Sequence, residues 1–368
     1  MEVEKTVSLT ETENGSVDEQ HNDIVTIQYD IPVSRANTIA FTLLQQIYSS
    51  NDEANQEDRA ELIRFVEKFV NQKTFPGSAD DFHNFAVELA RRDEYRLACD
   101  IIEAGLDKRK GGFSKNCDLL ADYLQYGVNC GRTKEAKKHF KTLMTIPRRR
   151  WTWRGFSFAV YFLQYLVEQD EIDSNISQII SGIDFSSIEN DMLDPCEKAM
   201  LALVQEFRKY LPYSEESYQV EAQIYEYLKE EDTALSILTK AEATLPVCPK
   251  CALRRADLLY ERGDYNGASS SIHRSLNDAV QTQSSVNEGY LHYLFSLCII
   301  SNARKSDETL TDELVELVYN HFNKALLEFE EGHQSHKDVI RRNTRNIKDE
   351  TGIEVSDKYI QLSALIED

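Results

Sequence analysis

An all-α solenoid of antiparallel helix pairs is the fold class that this 368-residue chain predicts, and three observations carry it. Two adjacent 34-residue windows, Glu215 to Cys248 and Pro249 to Thr282, repeat one pattern. Ala222, Tyr225, Ala234, Leu238, Ala241 and Pro246 stand at places 8, 11, 20, 24, 27 and 32 of the first. Ala256, Leu259, Ala268, Ile272 and Ser275 stand at places 8, 11, 20, 24 and 27 of the second, with Gly263 and Tyr265 at 15 and 17. Small residues at 8, 20 and 27 let two short helices approach, and bulky ones at 11, 17 and 24 fill the seam. A further window, Ala79 to Gly112, repeats the pattern with Ala86, Leu89, Tyr95, Ala98, Ile102 and Gly105 at 8, 11, 17, 20, 24 and 27. Finally, apolar residues elsewhere recur at helical spacing, and 41% hydrophobic content with 18 Tyr and 16 Phe supplies a core.

Met1 to Asp23 carries seven acids, one Lys and almost no large apolar residue, which predicts a disordered acidic tail over 1–23. Ile24 to Tyr29 ahead of Pro32 reads as an extended lead-in. Ile39, Leu43, Leu44 and Ile47, then Leu62, Phe65, Val66 and Phe69, predict a helical hairpin within 24–78. A repeat array follows over 79–332. Its window Cys117 to Arg150 keeps Gly131, Ala136, Phe140 and Leu143 at 15, 20, 24 and 27 but has Leu124 and Gly127 at 8 and 11, so its first helix is degenerate. Trp151 to Glu168 is apolar all round and predicts a helix buried on several sides. Ile176, Ile179, Ile180 and Ile183 suggest a short helix and Pro195 to Tyr210 another, both outside the 34-residue register. Capping helices occupy 333–368, with a polar one over Ser335 to Asp349.

The spaced small and bulky positions resemble a tetratricopeptide (TPR) repeat. The resemblance covers Ala79 to Thr282 with an irregular centre, and it implies a right-handed superhelical solenoid with degenerate central repeats that holds a protein or peptide in its groove. In that register places 2, 5, 9 and 12, with 6 beside them, face the groove and nominate Lys250, Leu253, Arg254, Asp257 and Tyr260. One subclass grips a C-terminal carboxylate with Lys and Arg at places 2 and 6 of one repeat and Asn or Lys in the two before it. Lys250 and Arg254 match, whereas His83, Val87, Gln219 and Gln223 stand where the other clamp residues belong, so that clamp is not expected here.

The net charge of −22 opposes nucleic acid and anionic membrane alike. Against it stands Arg148-Arg149-Arg150-Trp151-Thr152-Trp153-Arg154, with four guanidinium groups and two indoles in seven residues. Arg forks pair with carboxylate or phosphate and indoles stack, which nominates Arg148, Arg149, Arg150, Trp151, Trp153 and Arg154 for a partner with acidic or carboxylate groups, a phosphate or a single-stranded base. The alternative is local packing of the tryptophans with Arg paired to nearby acids. Lys337, Arg341, Arg342, Arg345 and Lys348 form a basic helical stripe, a solvated face or a dock for an acidic segment.

Seven cysteines, an odd number without a secretory leader, suit a reducing cytoplasm. Cys248 and Cys251 form a CxxC, the spacing of zinc ligands or a redox dithiol, but no second ligand pair accompanies it and ordinary turn cysteines are expected. No phosphate-binding loop, HExxH, GxSxG or dinucleotide loop occurs, so neither metal nor cofactor is called for. The favoured reading is a non-enzymatic cytoplasmic adaptor or regulatory subunit that binds a protein or peptide, with no membrane span. A peptide-sensing regulator and an enzyme with an unrecognised helical active site are the alternatives.

Overall fold

The computed structural model describes residues 30–49, 54–107, 112–169, 180–189, 192–282, 286–329 and 331–367. The expected tail and lead-in lie outside them, as do Ile176 and Ile179. The described residues form sixteen α-helices and no strand. Two compact units divide between His139 and Phe140.

In the first unit α1 (Val33–Ser49) pairs with α2 (Ala54–Val70), and α3 (Ala79–Ala90) with α4 (Tyr95–Leu106). Next come α5 (Cys117–Asn129) and α6 (Thr133–Met144), which contains the boundary. Ser78 starts α3 through a reciprocal cap: its hydroxyl accepts the Asp81 N–H at 3.2 Å, and the Asp81 carboxylate accepts the Ser78 N–H at 2.7 Å. Gly105, at place 27, touches the neighbouring helix directly, since a Cβ there would lie 2.8 Å from the Phe82 ring.

The second unit contains α7 (Trp153–Glu168) with α8 (Pro195–Tyr210), and α9 (Glu215–Tyr227) with α10 (Glu231–Thr244). They are followed by α11 (Pro249–Glu261) with α12 (Tyr265–Thr282), and α13 (Glu288–Lys305) with α14 (Asp312–Glu328). The closing helices are α15 (Gln334–Thr351) and α16 (Ile360–Glu367). Ala222, Ala234, Leu238, Ala241, Ala256, Ala268, Ile272 and Ser275 are all fully buried, so places 8, 20, 24 and 27 line the seam in both windows. Removing such apolar side chains from water contributes roughly 25 cal/mol per Å2, and seam positions gain most. In α7 the side chains of Phe156, Val160, Phe162, Leu163 and Leu166 are buried on several sides, and Phe156 stacks on Phe207 of α8 at 4.9 Å.

The turn inside each pair repeats as closely as the seam. At place 15 the backbone is left-handed in four windows: Asp93 (φ 59°), Gly131 (76°), Lys229 (63°) and Gly263 (75°). The next N–H, at place 16, reaches back to the carbonyl at place 11: Glu94 to Leu89, Arg132 to Gly127, Glu230 to Tyr225 and Asp264 to Leu259. This six-to-one closure satisfies carbonyls that a helix end would leave bare. Asp307 (φ 54°), with Glu308 N–H on the Ala303 carbonyl, ends α13 the same way.

Glycine takes that conformation freely, whereas a Cβ costs about 1–2 kcal/mol there. Lys229 is exposed. Lys229→Gly is therefore expected to stabilise the fold by about 0.5–1 kcal/mol after the extra chain entropy of glycine is subtracted. Urea unfolding measures it, and a destabilised variant would contradict the strain argument.

Candidate functional site

The first helices α7, α9 and α11 of the second unit bring Trp153 and Lys250, two of the nominated residues, together. Thr152 caps α7 by accepting the Gly155 N–H at 3.3 Å, which sets Trp153 at the first helical position. Pro249 opens α11 without an N–H, and the two following amides turn to the preceding repeat. Glu215 accepts them both, from Lys250 at 3.0 Å and from Cys251 at 3.4 Å. Burial raises the Glu215 carboxyl above its ordinary range, against the Lys250 charge that lowers it.

With its backbone so held, the Lys250 ammonium lies 3.0 Å from Glu216 and 5.8 Å from the centre of the Trp153 ring. Trp153 belongs to α7 and Lys250 to α11, with α9 between them in the chain. A side chain of α7 and one of α11 thus come together beside Glu216. Trp153 remains 38% exposed.

Further along, Arg254 forks onto both carboxylate oxygens of Glu226 and lies 3.6 Å from Asp257. The bond to Glu226 raises the guanidinium further, as expected of a fork on a carboxylate. The Tyr290 hydroxyl of α13 donates to Asp257 at 2.8 Å, and burial pushes the Asp257 carboxyl up. Tyr260 stands 3.4 Å from the Ser301 hydroxyl and packs on Tyr265, while Leu253 joins the apolar cluster beneath. The strip thus holds four acids, Glu215, Glu216, Glu226 and Asp257, against the two bases Lys250 and Arg254.

The Arg148 to Arg154 segment is divided by its own fold. Arg148 is turned inward: only 11% of its side chain is exposed, and its Nε donates to Glu206 at 2.9 Å. Its terminal nitrogens reach the Met144 and Gly182 carbonyls, and its guanidinium covers the Trp151 ring at 4.2 Å. Trp151 is 3% exposed, donates its indole N–H to the Ile146 carbonyl at 3.1 Å and packs on Phe156. Arg149 and Arg150, on the 3₁₀ turn Arg148–Arg150, are exposed and make no ion pair among the described residues. Arg154 lies 5.1 Å above the Trp153 ring.

Sequence reasoning missed Glu216, Glu226 and Tyr290. A signal existed: Glu216 occupies place 2 of its window as Lys250 does of the next, so residues at one place in successive first helices face each other.

The remaining motifs serve the fold. Cys248 and Cys251 are buried free thiols; burial pushes Cys248 up to about 12 and raises Cys251 as well. Among the described residues no group of three or more His, Cys, Asp or Glu could hold a metal. The basic stripe is largely engaged within the chain: Arg341 and Arg345 donate to the Leu365 and Ile366 carbonyls at the end of α16, and Lys348 pairs with Glu354. No described helix is long and apolar enough to cross a membrane.

Four windows repeat the buried seam places and the left-handed turn, and in the second unit successive first helices touch. The chain is a TPR-like helical-repeat protein. No family model matches it, and no curated protein does. Among solved structures it is similar to TTC0263, a thermophilic TPR protein of Thermus thermophilus, at 16% identity and a TM-score of 0.42 over 61% of this chain and all of that one. It is also similar to the human IFIT1 dimer with PPP-AAAA, at 12% identity and 0.39 over 91% of this chain and 71% of that one. The third is the APC/C hetero-tetramer Cut9-Hcn1, at 10% identity and 0.31 over 82% and 54%. At such identities and scores the likeness ends at helical repetition and carries no ligand with it.

Proposed function

We propose that the protein is a non-enzymatic cytoplasmic adaptor that holds a peptide segment of a partner protein on the first-helix face of α7, α9 and α11. The observation that supports this most is Trp153, an indole left 38% exposed beside Lys250 on the first-helix face. A half-open indole beside charged groups is the anchor that interfaces favour. Both surrounding bases are paired with acids, and acids remain in excess, as in a recognition strip rather than a set of groups poised for proton transfer.

Charge refines the partner. Lys250 and Arg254 are neutralised within the strip, so they offer no net positive field to a wholly acidic ligand. Arg149 and Arg150, exposed and without an ion pair among the described residues, do. The ligand that fits is a peptide of mixed charge, with an apolar or aromatic residue against Trp153, acids toward Arg149 and Arg150, and a base or amide toward Glu226 and Asp257. The same excess of acids disfavours a nucleic-acid backbone.

A random peptide display library selected on the full chain tests the reading. Selected peptides should lose at least tenfold in affinity against Trp153→Ala, and Arg149→Glu with Arg150→Glu should weaken binding more at low salt than at high. Circular dichroism should show both variants folded, because these side chains face solvent. Peptides that bind both folded variants as well as wild type would remove this face from consideration.

A further inference from the structure

We propose that Cys130 and Cys99 are an oxidisable dithiol pair, in which Cys130 is thiolated by a low-molecular-weight disulfide and Cys99 resolves the adduct into an intrachain disulfide. Their sulfur atoms lie 3.8 Å apart, one on α4 and one just beyond the end of α5. The two positions are 31 residues apart in sequence, a spacing that no cysteine motif marks.

Access distinguishes the two. All seven cysteines are free, six are buried, and Cys130 alone is partly exposed. A small reagent therefore meets Cys130 first. The CxxC thiols of Cys248 and Cys251, which the sequence singles out, are enclosed by comparison.

The reaction shortens the 3.8 Å gap to the roughly 2.05 Å of a disulfide. Cys130 is suited to that movement, because it is the capping residue of α5 and is followed by the left-handed Gly131. Its backbone N–H stays on the Tyr126 carbonyl whichever way the thiol points. Cys99 is fixed inside α4 and needs only to be approached.

The chemistry balances as thiol–disulfide exchange. The Cys130 thiolate attacks one sulfur of R–S–S–R, that bond breaks, and the first R–SH leaves with the proton Cys130 had lost. The Cys99 sulfur then attacks Cys130 Sγ, the mixed disulfide breaks, and the second R–SH carries off the Cys99 proton. The two protein thiols lose two electrons and the small disulfide gains them. Burial raises the Cys99 thiol, and the neighbouring Cys130 charge raises it further, whereas Arg132 acts the other way. Thiolation of Cys130 removes that charge and leaves Arg132 opposing the burial that keeps Cys99 protonated. The product ties α4 to the end of α5 and cross-links two successive helix pairs of the first unit.

The full chain is incubated with oxidised glutathione at mildly alkaline pH, alkylated, digested and read by mass spectrometry. A Cys99–Cys130 linked peptide should accumulate, with the other five cysteines unmodified until denaturant is added, and thermal melting should shift upward and return on reduction. Cys99→Ser should trap glutathione on Cys130, and Cys130→Ser should leave Cys99 reduced. Should Cys99→Ser fail the circular dichroism check, Cys99→Ala replaces it. Wild-type protein that stays folded yet keeps both thiols alkylatable, or that holds glutathione on Cys130 without resolving it, would overturn the proposal.

Discussion

Replacing Asp278 by Ala is expected to cost about 3 kcal/mol, through a desolvated amide left without a partner. Asp278 sits near the end of α12 and is almost fully buried, and its carboxylate accepts the Cys248 N–H at 2.9 Å and Arg274 Nε at 2.6 Å. Arg274 in turn donates to the Leu245 and Pro246 carbonyls, and the Ser275 hydroxyl to the Pro249 carbonyl. These bonds hold the link between α10 and α11, and hence the start of the helix that presents Lys250. Asp278→Ala leaves the Cys248 amide unpaired in a fully buried residue and releases Arg274. Asp278→Asn keeps an acceptor and should cost about 1 kcal/mol, having lost only the charge assistance. Urea midpoints of the two variants decide the matter; equal losses would mean that the carboxylate charge, and not the hydrogen bond to Cys248, stabilises the link.

The all-helical repeat was legible wherever place and residue type coincide. Ala222, Ala256 and Ala268 had to be small because two helices meet there, and composition records that constraint directly. The left-handed residue at place 15 was legible only at Gly131 and Gly263, since Asp93 and Lys229 adopt the same backbone with side chains that do not advertise it. The middle of the chain resisted for another reason. Around α7 large rings such as Phe156 on Phe207 share the seam with the buried Ala159, Ala199 and Ala202, which lie outside the 34-residue register.

The candidate site was legible as residue types and illegible as pairs. A run of four arginines and two tryptophans reads as one patch, yet Arg148 and Trp151 turn inward because Glu206, 58 residues further on, and the Ile146 carbonyl are there to receive them. Likewise Glu216 and Glu226 look like any solvated acids of an acidic chain until α11 places Lys250 and Arg254 over them. Long-range partners decide which charges remain for a ligand, and sequence spacing carries no record of them.

Acid should weaken the second unit steeply as pH falls below about 6.5. His292 of α13 and His321 of α14 face each other with Nδ1 atoms 3.0 Å apart, so one ring donates and the other accepts, and both are neutral. Burial lowers His292 to about 4, with Lys324 adding to it, and lowers His321 to about 3, with His292, Lys324 and His273 adding. The unfolded chain binds both protons near pH 6.5, whereas the folded chain refuses them until about pH 4 or below. The unfolded state therefore holds more protons across that window, and stability rises with pH through it and is flat above it. Two protons set a ceiling of about 2.7 kcal/mol per pH unit, which solvent reaching the partly exposed rings reduces. Protonation also removes the acceptor of the shared hydrogen bond and sets two cations against each other beside Phe295, whose ring is 4.6 Å from His321. Urea unfolding between pH 7 and pH 4 should show the loss, and a His292→Leu, His321→Phe variant should lessen it, leaving the share of His139, which burial also lowers to about 4. If that variant keeps the wild-type slope, the acid sensitivity belongs to other groups and the histidine pair is a bystander.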